Sequence, residues 1–289
     1  VTTDTAVHGP IGVHKLSASR FVNRTALHLG LIVASLLVLL PVIWMILASF
    51  RPESEIVRHP GELFPIHPTL SNYQGVVTQI PFARQFVNTV IFAGGVTLLS
   101  LFFDSMMAYA LARLEFPGRK WIFIAVLLFL MIPYQVTMIP VYQLVAHLGL
   151  INTFPGLIIP RATNAFGIFF LRQFFIGIPA SLDEAARIDG ASEWRIYARI
   201  ILPLSKPALL TLALFHFMFN WNDLLWPLVF TTSTDMETLP AGLALFTGEH
   251  VVQYGLVSAG ATLAMLPMII AFILVQRRFI EGIATTGLK

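Results

Sequence analysis

The sequence predicts an all-α integral membrane protein with six transmembrane helices and a helical hairpin on the cytoplasmic side. Three observations carry this. Only 11% of the 289 residues are charged and 56% are hydrophobic, against roughly 25% charged in soluble domains. The apolar residues form long runs separated by short polar turns, with a mean hydropathy of +0.78. One late segment, EAARIDGASEWRIYARIILP at 184–203, breaks that pattern by being amphipathic and rich in arginine. Because the net charge is only +3, the positions of the charges say more than their sum. The absence of cysteine excludes disulfides, thiolate metal sites and a thiol nucleophile, and no metal site is expected.

The first run, Leu27 to Phe50, holds no ionised residue, and its 24 residues rise about 36 Å against a hydrocarbon core of about 30 Å. Preceded by Lys15, Arg20 and Arg24, it is too long for the apolar part of a signal peptide and reads as an uncleaved anchor. Further runs extend over 87–111, 121–146, 154–175, 208–230 and 256–275. LGLINTFPG, built from Gly, Asn and Pro, separates the third from the fourth, which carries Pro155, Pro160 and Arg161. Pro133 and Pro140 make the third irregular. Between the first two runs lies a loop with five prolines, expected to pack over the outer mouth.

With six spans, Lys and Arg gather on one face: Lys15 to Arg24, Arg113 to Lys120, Arg172, Arg187 to Lys206, and Arg277 to Lys289. Only Arg51, Arg58 and Arg84 fall on the other, with Arg161 near the outer end of the fourth span. The positive-inside rule then puts both termini and the 184–203 segment in the cytoplasm.

Within that segment, Ser181 and Glu184 form the S-x-x-E pattern of a capping box, which predicts a helix start. Gly190 suits the left-handed residue that closes a helix, and Ser192 suits the cap of a second one, which Pro203 should bend or stop before the next span begins. On this second helix Trp194, Tyr197 and Ile201 share one face, and Arg195 and Arg199 another. Such a helix can lie among lipid headgroups or dock in a groove of a partner protein. The small pair Ala185 and Ala186 argues for close backbone approach, hence for docking.

The same stretch resembles the EAA motif of the membrane subunits of binding-protein-dependent ABC importers. The pattern is Glu-Ala-Ala, three residues, Gly, nine residues, Ile, one residue, Leu-Pro, matched by Glu184, Ala185, Ala186, Gly190, Ile200, Leu202 and Pro203. MAYALARLEFPGR (107–119), MIPYQVTMIPVYQLVAHLGLINT (131–153), AFGIFFLRQFF (165–175), WNDLLWPLVF (221–230) and QRRFIEGIATTGLK (276–289) look like the maltose-type carbohydrate permeases, the MalG-like six-span partner. The resemblance implies a type I ABC importer permease fold. The regions it implies are a tail over 1–24, a first helix over 25–50 and an outer loop over 51–83. An ABC transmembrane type-1 domain over 84–276, with a coupling hairpin at 181–202, and a tail over 277–289 complete the chain. It implies an inner-membrane assembly with a MalF-like second permease, two MalK-like ATPases that bind ATP and Mg, and an extracytoplasmic sugar-binding protein, with no cofactor in this chain and no nucleic acid. Glu184, Ala185, Ala186, Arg187, Asp189, Gly190, Trp194, Arg195, Arg199 and Pro203 are then ATPase-coupling residues. The tail from Arg278 resembles one that reaches between the ATPases.

Polar residues inside spans normally face a bundle or a wet cavity, because ionised groups there cost about 2.5–3.5 kcal/mol on insertion scales. Asn220, Trp221, Asn222, Asp223 and Trp226 offer the amides, carboxylate and aromatic faces that sugars need, or else an outer gate or interfacial belt. Gln135 suits cavity lining or packing equally. Asp104, Arg161 and His216 stand where the family has uncharged residues. An ion-coupled secondary transporter would also be polytopic, but no repeated halves are visible. A polyol or glycerol phosphate is the alternative cargo. No H-x-x-x-H, G-x-S-x-G or G-x-x-x-x-G-K-[ST] occurs, so neither an enzyme nor a self-contained ATPase is expected.

Overall fold

The computed structural model describes residues 15–248 and 252–286. Among them every regular element is helical: α1 (Lys15–Ala48), α2 (Glu53–Arg58), α3 (Ser71–Gln79), α4 (Phe82–Arg113), α5 (Arg119–Leu130), α6 (Tyr134–His147), α7 (Phe154–Ile158), α8 (Ala165–Ile176), α9 (Ser181–Ile188), α10 (Glu193–Ile196), α11 (Leu202–Leu204), α12 (Lys206–Trp221), α13 (Leu225–Phe230), α14 (Leu239–Ala244) and α15 (Tyr254–Thr286). A short 3₁₀ turn, Ile159–Arg161, follows α7, and a π-helical turn, Tyr197–Ile201, joins α10 to α11.

Three helical stretches are long and apolar enough to cross a membrane unbroken, Arg24–Ala48, Phe82–Arg113 and Tyr254–Leu274. Three bent pairs qualify when each is taken as one span, which brings the number to six. The bends have local causes. α5 meets α6 at 101° where Pro133, which has no N–H to donate, forms the N-cap of α6. Pro140 stays inside α6. The fourth span bends by 45° between the 3₁₀ turn and α8, where the Asn164 side chain accepts the Phe166 N–H and restarts the helix. The turn between third and fourth spans has Gly149 and Asn152 at positive φ, 69° and 62°, residue types that tolerate the left-handed region.

One expectation needs correction. The fifth run does not form one helix over 208–230: α12 stops at Trp221, and after a break at 222–224 the separate α13 packs on α7 and α6. Asn222 and Asp223 occupy that break, and the Asp223 carboxylate accepts the Trp226 N–H to start α13. The proline-rich loop between the first two spans folds around a buried Arg51–Glu55 pair and lies against the first turn of α15, whose Tyr254 and Gly255 N–H groups donate to Glu53. Arg51 also donates to the Glu62 and His59 carbonyls, and Glu55 accepts the Ile66 and His67 N–H groups. These hydrogen bonds to its ionised form, the Ile66 N–H foremost, hold the Glu55 carboxyl below the usual range.

α4 is the central helix, packed against α8 and α12, while α12 in turn packs on α15. Large apolar side chains such as Leu37, Val38, Leu98 and Phe129 stay exposed on outward faces, the surface a lipid solvent requires. α1 packs on α15. The side chains of Lys15, Arg20, Arg277, Arg278 and Lys289, and the backbone beyond Thr286, lie outside the described residues.

Candidate functional site

Two regions collect the residues singled out in the sequence. The first is the hairpin formed by α9, α10 and the π turn. Gly190 adopts φ +76°, the left-handed conformation that ends α9, and an added Cβ there would meet nothing within 4 Å. The capping box does not form. α9 begins at Ser181 with Ala180 as N-cap, and the Asp183 and Glu184 N–H groups are taken by the Ala180 carbonyl, so no side-chain cap is needed. Ser192 does stand at the N-cap of α10, but its carbonyl, not its hydroxyl, receives the Arg195 and Ile196 N–H groups.

The hairpin has two unlike sides. Ala186, Ile196, Tyr197 and Ile201 enter a core completed by Leu171, Phe175 and Leu212; burying each of the two isoleucines is worth about 1.5–3 kcal/mol. The Tyr197 and Ile201 half of the aromatic face therefore packs on the protein's own spans, while Trp194, 58% exposed, stands at its rim 5.2 Å from the Tyr197 ring. Outward point Glu184, Ala185, Asp189, Arg195, Arg199 and Pro203, together with Ile188, which is 87% exposed. Arg187 is already occupied: its guanidinium donates to both Glu193 oxygens, at 2.7 and 3.3 Å, and bridges the two arms. That contact raises the Arg187 pKa and lowers that of Glu193. Arg195 and Arg199 make no ion pair among the described residues. The bend expected before the next span is present: the helical run passes through Pro203 and turns by 78° at Ser205.

The second region is a cavity of about 180 Å³ lined by residues of α4, α6, the 3₁₀ turn, the 163–164 link, α12 and α13. It adjoins a groove of about 510 Å³ that shares Tyr134, Thr137, Thr163 and Asn164 with it. Arg161 forms an ion pair with Asp223, and its guanidinium lies 5.2–5.8 Å from the ring centres of Phe92, Tyr134, Phe219 and Trp226. Next to it, Asp104 is fully buried and accepts from the Thr163 hydroxyl (2.7 Å) and the Asn164 N–H (2.9 Å), with His216 Nε2 3.3 Å away. The three residues unexpected from the family pattern thus form two polar clusters, with Arg161 and His216 lining the cavity and Asp104 buried behind it. Asn220, 2% exposed, donates to the His216 carbonyl but leaves its Oδ1 without a hydrogen-bond partner. A buried carbonyl oxygen in that state costs about 1–3 kcal/mol unless a ligand or water meets it.

Of the pathway candidates, Asn220 and Trp226 line this cavity and Asp223 anchors its arginine. Trp221 does not reach it: its indole donates to the Ala264 carbonyl and packs against Phe86 and Phe217. Asn222 is exposed and bonds back to the Met218 carbonyl, because the end of α12 turns it away. Gln135 is exposed beside the cavity and lines neither space; its neighbours Tyr134 and Thr137 do. Ser100, Tyr134, Thr137 and Asn164 also line the cavity but carry no signal in the sequence, since isolated hydroxyl and amide residues recur throughout the spans.

Known proteins place this arrangement. Residues 104–284 match the family described as binding-protein-dependent transport system inner membrane component. The chain is 39% identical over 266 residues to an arabinooligosaccharides transport system permease protein of Halalkalibacterium halodurans, covering 91% of this chain and 95% of that one. It is 34% identical over 264 residues to a diacetylchitobiose uptake system permease protein of Streptomyces coelicolor, 90% and 87% of the two chains. Among solved structures, a bacterial ABC transporter involved in the import of the acidic polysaccharide alginate aligns with a TM-score of 0.76 at 26% identity, over 93% of this chain and 100% of that one. With its six potential spans, its exposed hairpin and the match over most of its length, the chain belongs to the binding-protein-dependent transport system inner membrane components.

Proposed function

We propose that this chain is the permease subunit of an ATP-driven importer that moves a di- or oligosaccharide across the bacterial inner membrane, with both termini in the cytoplasm. A second permease completes the pathway, two ATPase subunits bind ATP and Mg, and an external binding protein delivers the sugar. The carrying observation is the division of the hairpin into a buried side and an exposed side. Ile196, Tyr197 and Ile201 weld it to the spans, while Glu184, Ala185 and Ile188 stay open to a partner. A hairpin so mounted transmits a push from outside instead of absorbing it. In this reading Glu184, Ala185, Ala186, Asp189, Gly190, Trp194, Arg195, Arg199 and Pro203 shape or present the docking face. Arg187 acts through Glu193, stiffening the turn.

Sugar passage is assigned to the cavity. Its aromatic rings suit the C–H faces of a pyranose, and the free oxygen of Asn220 suits a hydroxyl donor. Because Asp223 already neutralises Arg161, no unpaired cation is offered to the lumen among the described lining residues, which favours a neutral sugar over glycerol phosphate.

The test is reconstitution of the assembled transporter with candidate sugars and their binding protein, recording uptake and ATP turnover. Asn220→Ala and Trp226→Ala are expected to raise the half-saturating sugar concentration, each by up to about tenfold. Co-purification that yields no ATPase, or ATP turnover that no sugar stimulates, would rule the proposal out.

A further inference from the structure

Ser105, Tyr109 and Arg113 recur every fourth residue on α4 and share one face of its last turns. Each holds a different part of the hairpin. The Ser105 hydroxyl is 2.8 Å from the Tyr197 hydroxyl in the π turn. The Tyr109 O–H donates to Glu193 Oε2 at 2.7 Å, and this carboxylate is the one that Arg187 grips from α9. Arg113 pairs with Asp183 in the first turn of α9 at 3.4 Å, the two side chains being 7% and 3% exposed. The same guanidinium donates to the Phe175 and Ile178 carbonyls at 2.6 Å each, closing the end of α8. Further along, α4 meets the cavity wall. Ser100 donates to the Arg161 carbonyl, and Asp104 accepts from Thr163 and Asn164 and faces His216 Nε2 at 3.3 Å.

We propose that α4 is the transmission rod of the subunit, with Ser105, Tyr109 and Arg113 as positioning residues that clamp both arms of the hairpin to it, so that movement of the hairpin displaces Ser100, Asp104 and the cavity wall. The proposal rests on the hairpin being the ATPase-coupling element. One tie would act as a hinge; three, spread over about 12 Å of helix, resist both sliding and rotation. The Arg113–Asp183 pair is buried, so opening it would leave two uncompensated charges, and it holds harder than an exposed pair. From Arg113 to Ser100 the rod spans about 20 Å, long enough to link hairpin and cavity without passing through α9–α12.

The chain has no cysteine, so single labels can be introduced cleanly. In the assembled transporter, with the partner chains made cysteine-free, spin labels at Leu98 on α4 or at Ala180 beside α9 are measured against one at Leu37 on α1. Uptake per ATP hydrolysed is recorded in the same preparation. Two variants open the clamp: Arg113→Gln with Asp183→Asn, which removes both charges together so that neither is left buried alone, and Ser105→Ala with Tyr109→Phe, which deletes one oxygen from each residue. The expected result is that ATP still displaces the Ala180 label while the Leu98 displacement is lost. Uptake per ATP should fall at least about fivefold, the lower end of usual coupling strengths, with Arg113→Lys recovering part of it. A Leu98 displacement equal to that of the unaltered protein, or unchanged uptake per ATP in both variants, overturns the proposal. So does a loss of assembly and ATP turnover together with unchanged coupling, the mark of a merely structural role. If ATP fails to move the Ala180 label in the unaltered protein, the coupling reading itself falls, and that outcome is distinct from the others.

Discussion

Gly190 separates the backbone cost of a substitution from its docking cost. Its φ of +76° is unfavourable for a residue with a Cβ, by roughly 1–2 kcal/mol. A Cβ there meets nothing within 4 Å, so no steric term is added inside the subunit. Asn visits this conformation more readily than Ala, and a β-branched residue less readily than either. Stability of the purified subunit in detergent should therefore fall in the order Gly190, Asn, Ala, Val, spanning about 2 kcal/mol, and be followed by thermal unfolding. Substrate-stimulated ATP hydrolysis should behave differently. Gly190→Asn keeps the angle between α9 and α10 and should retain most coupling, whereas Gly190→Trp should leave an inserted subunit that no longer stimulates its ATPase. If Ala, Asn and Val are equally stable, the left-handed turn is not what selects glycine. Normal uptake with Gly190→Trp would mean that the turn does not enter a partner's cleft.

Three further outcomes follow from the same geometry. At Gly167 a Cβ would overlap Asp104 Oδ2 and lie 3.0 Å from His216 Nε2, so Gly167→Ala should destabilise the solubilised subunit by about 1–3 kcal/mol, read by thermal unfolding. Arg161→Leu leaves the buried Asp223 unpaired and should cost about 3–5 kcal/mol, while Arg161→Leu with Asp223→Leu should recover much of it; equal losses in both would mean that the pair does not govern the cavity wall. The outer loop should hold best above the usual carboxylate range. The native pKa of Glu55 is depressed, so its contribution is complete above the unfolded value and is lost as pH falls through the lower native one. The protection of the Ile66 and His67 amides, taken as the exchange rate relative to the intrinsic rate at each pH, should fall steeply on acidification, and protection that stays constant would contradict the role given to Glu55.

Much of this molecule was legible because the signals are local. Runs of apolar residues longer than the bilayer locate the spans, and Gly190 with its flanking polar residues locates the hairpin. The capping box failed because Pro179 and Ala180 supply a turn whose carbonyl satisfies the first N–H groups, a competition that two matching side chains cannot reveal. Hydropathy alone overruns the end of α12, because 222–224 is a short polar interruption in an apolar run. Trp221 and Trp226 look alike in sequence, yet one packs toward α15 and the other lines the cavity.

Hydropathy and spacing by themselves determined that the chain is helical, membrane-embedded and equipped with one exposed hairpin, since each of these depends on neighbours within about twenty residues. The tertiary structure alone decided which polar groups meet. Arg161 finds Asp223, Asp104 finds His216, and Arg113 finds Asp183, across 62 or more positions of chain. In an apolar surrounding a charged or polar group must find a partner wherever the packing brings one, and that choice is made by the bends at Pro133, Asn164 and Ser205, not by spacing along the chain.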